Sequence, residues 1–142
     1  MILLISRLAV RLITAGLVVY WILLFTGTHL PASAVVDTGI GDKWLHFLGY
    51  LGLSFLFACT VTAYYRPRWD TYLWMAIILL CYGALDELSQ IPIPGRHADF
   101  FDWVANAQGI AVGLAIQRLA LGLYENWAVI GWGWARADQS RG

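Results

Sequence analysis

Residues 12–30 read LITAGLVVYWILLFTGTHL, a run without Asp, Glu, Lys or Arg, and the chain stays uncharged to Val36. An α-helix rises about 1.5 Å per residue, so about 20 apolar residues cross a hydrocarbon core roughly 30 Å thick. The stretch is long enough to span a bilayer, and its reading decides the fold.

Working outward, the same signature recurs three times. WLHFLGYLGLSFLFACTVTAYY (44–65) ends at Arg66 and Pro67. TYLWMAIILLCYGALDELSQI (71–91) follows Asp70 and stops at Pro92 and Pro94. DWVANAQGIAVGLAIQRLALGL (102–123) is the fourth. No stretch alternates with a period of two, which argues against a β-barrel. The composition agrees: of 142 residues 60% are hydrophobic and 13% charged, with eight Trp and a mean hydropathy of +0.65. That leaves too little polar surface for a water-soluble globule. A net charge of zero without a basic patch gives nucleic acid no footing. Cys59 and Cys81 fall inside apolar runs and read as small buried hydrophobes. The expectation is an all-α integral membrane protein: four transmembrane helices, short loops, both termini cytoplasmic. Residues 1–125 form the bundle, and 126–142 form a Trp-rich cytoplasmic or interfacial tail.

The orientation follows from the basic residues. With the N-terminus inside, Arg7, Arg11, Arg66, Arg68, Arg118, Arg136 and Arg141 are cytoplasmic and only Lys43 and Arg96 are outside. Arg7 and Arg11, the apolar run and ASA (32–34) also resemble a signal peptide, but the run exceeds the usual 7–15 residue apolar core, so a retained helix is expected.

This topology gathers the polar residues. Five of the nine acidic residues are Asp42 and the four in DELSQIPIPGRHADFFDW (86–103). Asp42, Lys43 and His46 open the second helix, and Asp86, Glu87 and Gln90 close the third. Arg96, His97 and Asp99 lie in the loop, and Asp102 and Asn106 open the fourth helix. All four groups fall on the extracytoplasmic side. The 15 uncharged residues between Asp70 and Asp86 extend about 22 Å as a helix. Asp86 and Glu87 therefore lie within the bilayer edge, at a helix C-terminus that disfavours anions, and need partners from elsewhere. Arg96, Lys43 and His46 are the candidates for Glu87. Asp102, Asn106, Gly109 and Gly113 form one stripe, whose GIAVG segment is a small-xxx-small pattern suited to close helix contact.

Simpler roles stand beside these. Asp42 and Asp99 are also placed to cap helices, Asn106 to bond a neighbouring helix, and Arg96 to sit exposed in a turn. Histidine changes charge near neutral pH, so His46 among carboxylates suits acid/base chemistry, and Arg96 suits an anionic group. His46, Glu87, Asp99 and Asp102 are residue types that can hold a metal, but no spacing matches a metal motif, and neither a metal nor a cofactor is expected. Ser89 is the only nearby hydroxyl, which gives covalent catalysis weak support.

DKWLHFLGYLGL (42–53) and ELSQIPIPGRHADFFDWVANAQGIAVG (87–113) resemble the paired motifs of VanZ-like membrane proteins. The matching positions are Asp42, Lys43, His46, Tyr50, Glu87, Gln90, Arg96, Asp102, Asn106 and Gly109; Asp99 departs from the pattern. The resemblance implies a cell-membrane protein, linked in the founding member to resistance to the glycopeptide teicoplanin, and supplies no settled reaction. The combined expectation is a site acting on an amphiphilic, lipid-linked envelope substrate, as a hydrolase or transferase. His46, Glu87 and Asp102 are its catalytic residues; Asp42, Lys43, Gln90, Arg96 and Asn106 bind the substrate. Two alternatives stay open: a non-catalytic module that binds or shields an envelope precursor or glycopeptide, and a small proton-coupled transporter subunit. The Gly109/Gly113 face is also a candidate homo-oligomer contact.

Overall fold

A computed structural model of the chain describes residues 2–34, 39 and 41–139, and the side chains of 7–31, 33–34, 39 and 41–127. Among them the secondary structure is helical throughout. α1 spans Ile2–Thr28, α2 Asp42–Tyr64, α3 Trp69–Ser89 and α4 Phe100–Gln139, with a 3-10 turn at Ala32–Ala34 between α1 and α2. All four α-helices are long and apolar enough to cross a membrane.

The helix ends follow local chemistry. The backbone turns extended at Tyr65, just ahead of Arg66-Pro67. α3 restarts where Thr71 Oγ1 accepts the Arg68 N–H at 3.2 Å. α1 begins well before the apolar run, taking in Arg7 and Arg11. α4 continues past the expected end at Leu123 to Gln139, because no proline interrupts the backbone between them. The tail side chains from residue 128 lie outside the described residues.

Contacting pairs give the topology. Thr14 meets Tyr64 and Tyr20 meets Gly49, so α1 and α2 run antiparallel. Lys43 with Asp102, His46 with Asn106 and Thr62 with Gln117 advance together, so α2 and α4 are parallel. Trp103 with Leu80 and Gln117 with Tyr72 make α3 antiparallel to α4. The end of α1, the start of α2, the end of α3 and the start of α4 therefore share one end of the bundle.

The α2–α4 contact is the most extensive between helices. A Cβ at Gly109 would strike the backbone of Phe47 and Leu51, and one at Gly113 the Leu51 carbonyl and the Ser54 hydroxyl. At Gly109 the two backbones lie against each other with no side chain between, and at Gly113 only the small Ser54 side chain joins the contact, as small-xxx-small spacing permits. The stripe expected to carry a close contact is covered by α2 of the same chain. The core (Tyr50, Leu53, Leu79, Ile110, Leu114) lies among α2, α3 and α4, and α1 adds Leu17. Much of α1, including Leu8, Leu12, Val19, Ile22 and Leu23, faces outward, as lipid contact requires.

Candidate functional site

Asp86 and Glu87 follow one another on α3, and successive helical residues point about 100° apart. Both are buried, at 2% and 4% exposure, yet they look in different directions.

Glu87 turns to α2 and α4. Its Oε1 accepts from Asn106 Nδ2 at 3.3 Å and lies 3.4 Å from His46 Nδ1. Asn106 is fully buried, and its Oδ1 is 3.1 Å from the same His46 nitrogen. Glu87 orients that amide: Nδ2 must face the carboxylate, so Oδ1 faces the imidazole and accepts from Nδ1–H. This selects the tautomer with the lone pair on Nε2. His46 Nε2 has no hydrogen-bond partner among the described residues. Glu87 Oε2 also accepts the Asp99 backbone N–H, at 3.4 Å. Of the three partners expected for Glu87, only His46 is there.

Lys43 points the other way. Its Nζ contacts Asp102 Oδ1 at 2.9 Å and Asp99 Oδ2 at 3.1 Å. Asp99 Oδ1 accepts the Phe101 N–H at 2.8 Å, so this residue caps α4 and also pairs with Lys43. That N–H first, and Lys43 second, hold the Asp99 carboxyl below the usual carboxylate range. The competing cap at Asp42 is absent: Gly41 precedes α2 and no side chain caps it. Asp42 is exposed, with no hydrogen bond or ion pair among the described residues.

Arg96 is placed by a turn. Its N–H donates to Ile93 O at 3.0 Å, with Pro94 and then Gly95 at φ 77° between, the residue pattern of a type II turn. Its Nε donates to Leu30 O at 3.1 Å, tying the 90–99 loop to the end of α1. The guanidinium has no carboxylate partner among the described residues.

Asp86 turns to α1 and Tyr50. Tyr50 donates to Oδ2 at 3.1 Å and Thr28 donates to Oδ1 at 3.2 Å. His29 Nδ1 lies 3.8 Å from Oδ1 while its Nε2 contacts Ser89 Oγ at 2.8 Å. Thr28 and His29 belong to a segment that sequence reasoning treats only as an anchor. The available signal is two polar residues closing an otherwise apolar span.

Two cavities flank these groups. One, of about 230 Å³, is walled by Leu23, Leu24, Gly27 and Leu45, with Thr28, Asp42, His46, Tyr50 and Arg96 around it. The other, of about 290 Å³, is lined mainly by polar residues: Asp42, Gln90, Arg96, His97, Asp99 and Asp102. They share Asp42 and Arg96. Of the expected site residues, His46, Glu87 and Asn106 form one cluster, and Lys43 and Asp102 form a pair beside it. Asp42, Gln90 and Arg96 line the cavities.

The fold and site define a class: a four-helix membrane bundle with buried ionisable groups at one end. Within that class, the family model for VanZ/LLP1 matches residues 10–121, and the chain belongs to that family. No curated protein and no solved structure matches it.

Proposed function

We propose that the chain binds an amphiphilic, anionic, lipid-linked envelope molecule at the extracytoplasmic face of the cell membrane and processes it by acid/base chemistry. One observation carries the reading: an apolar groove and a polar cavity adjoin at Asp42 and Arg96. A ligand that fills both has an acyl or prenyl chain and a charged head. The groove's walls come from α1 and α2, within the membrane-spanning lengths of both helices. Arg96, without a carboxylate partner, supplies a fork that matches a phosphate or carboxylate. The outward placement rests on the basic-residue count, and the family supports a connection to glycopeptide resistance.

His46 is the general base in this reading. Its Nδ1–H is held by Asn106 and Glu87, which leaves the Nε2 lone pair to take a proton from water or a ligand hydroxyl. Glu87 stabilises the imidazolium that results. Asp102 does not reach His46 through a hydrogen bond, and its role passes through Lys43. Hydrolysis or transfer both fit this arrangement.

The non-catalytic alternative has one observation in its favour. Thr28, Tyr50 and Ser89 all donate to oxygens of Asp86, so the hydroxyls beside the site are engaged. The test is binding of a prenyl phosphate to the purified protein, in chelator, compared with inorganic phosphate alone. The prenyl phosphate should bind at least about tenfold tighter than phosphate, and Arg96→Ala should remove about 1–3 kcal/mol. Equal binding of both would sink the amphiphile reading. Turnover lost in His46→Gln favours the enzyme; binding that survives His46→Gln without any turnover favours the receptor.

A further inference from the structure

We propose that Asp42, His46 and Asp102 hold a divalent metal ion, of the zinc or manganese class, where the apolar groove meets the polar cavity. One ligand atom from each lies within 4.8 Å of the others. Metal bonds of about 2.0–2.2 Å put tetrahedral donors roughly 3.3–3.6 Å apart, so side-chain rotations that bring the three atoms closer by about an ångström close the set. Asp42 can make it: the residue is exposed, caps nothing and holds no partner among the described residues.

His46 is already arranged as a metal ligand. A ligating histidine donates its second N–H to a carboxylate or carbonyl, which fixes the ring and leaves the other nitrogen for the metal. Asn106 Oδ1 and Glu87 Oε1 take that part at Nδ1, and the ring is 6% exposed.

An independent observation points to a ligand in the same place. Gln90 is 2% exposed, and its Nε2 is buried with no hydrogen-bond partner. It lines the polar cavity together with Asp42 and Asp102. A buried amide N–H without an acceptor is costly, and nothing among the described residues supplies one. With a small turn of the Gln90 amide toward the cavity, water or a phosphoryl oxygen carried by the ion would complete both the metal shell and the Nε2–H.

Two carboxylates and one imidazole set the metal class. Carboxylates suit magnesium, calcium and manganese, whereas imidazole draws the preference toward zinc, so the mixed set points to zinc or manganese. Lys43 now neutralises Asp102, and its side chain is 55% exposed, so it can swing aside as the ion enters. Holding the ion is independent of the amphiphile reading, but it takes the His46 Nε2 lone pair, so His46 is a general base only in the metal-free protein. Using it to bridge to a phosphate headgroup rests on that reading.

The experiment uses the full chain in detergent micelles, stripped with EDTA, dialysed, and titrated with Zn²⁺ and with Mn²⁺ by calorimetry. One ion per chain is expected, with affinity lowered about tenfold or more in Asp42→Asn and in Asp102→Asn. Asp70→Asn, on the opposite end of α3, should match the wild type. Lys43→Gln removes no ligand and should tighten binding, which separates a lost site from a lost fold. Absence of saturable binding, unchanged affinity in both carboxamide variants, or weaker binding in Lys43→Gln overturns the proposal. Prenyl phosphate binding in chelator without metal binding also overturns it and leaves the amphiphile reading standing. Metal binding without prenyl phosphate binding supports it and removes only the bridging role.

Discussion

Asp86 and Glu87 are neighbours in sequence, equally buried, and held in opposite ways. Asp86 accepts from two hydroxyls on two other helices, Thr28 of α1 and Tyr50 of α2, at 3.1–3.2 Å. Glu87 accepts only longer bonds of 3.3–3.4 Å, and those partners are also bonded elsewhere or lie on a loop. Oxygens satisfied by hydroxyls on two surrounding helices tie a bundle together. A carboxylate held loosely beside an imidazole has bonding capacity left for a ligand. Under the proposed function, the contrast places Asp86 in the architecture and Glu87 in the acid/base pair with His46.

The sharpest way to break this contrast is to truncate each residue in turn. Asp86→Ala strands the buried Tyr50 hydroxyl and unties α1, and should cost about 2–4 kcal/mol, read as a fall in thermal midpoint in detergent. Glu87→Ala should cost less, because His46 and Asn106 still bond each other. A larger drop for Glu87 than for Asp86 would reverse the assignment. Glu87→Gln comes next: stability within about 1 kcal/mol of wild type, with prenyl phosphate turnover reduced about tenfold or more. Full activity in a folded Glu87→Gln protein would make the carboxylate structural. Tyr50→Phe sharpens the other arm, with an expected loss of about 1 kcal/mol and ligand affinity unchanged, since its hydroxyl points at Asp86.

The smallest effect belongs to the loop. Asp99 has its carboxyl pushed below the usual range, so its contribution is present at neutral pH and disappears only as acid protonates it through that lowered value. Thermal midpoints of wild type and Asp99→Asn should differ modestly at pH 7 and converge only in acid below the ordinary aspartate range. A difference that persists there, or grows, would mean that Asp99 acts by something other than its charge.

Most of this frame was legible in the sequence. Apolar runs bounded by arginines and prolines mark four spans, and alternation of direction brings Asp42, Glu87, Arg96 and Asp102 to one end. Spacing gave the Asp102–Asn106–Gly109–Gly113 stripe, which runs along α2. The partners were harder to read. Whether Glu87 or Asp86 faces α4 depends on how α3 is rotated against its neighbours, and two adjacent carboxylates look alike in a string. Lys43 is a sequence candidate for Glu87, yet its flexible stem reaches the Asp99–Asp102 pair across the parallel α2–α4 contact. His29 escaped notice because nothing local shows that an end-of-span histidine folds back onto the close of α3. α4 runs beyond its apolar stretch because charge marks where a helix leaves the apolar layer, whereas backbone chemistry decides where it stops.

The glycine contact between α2 and α4 has a consequence for how such a protein can change. Where backbone rests on backbone there are no rotamers to repack, so peptide radii set the gap between His46 and Asn106. Substitution along that seam offers no gradual widening of the site; even one added methyl group forces the helices apart. Room for a bulkier headgroup or a longer chain has to come from α1 and the 90–99 loop, whose residues border the cavities. A directed-evolution search for altered ligand range should recover its variants there and leave positions 109 and 113 untouched.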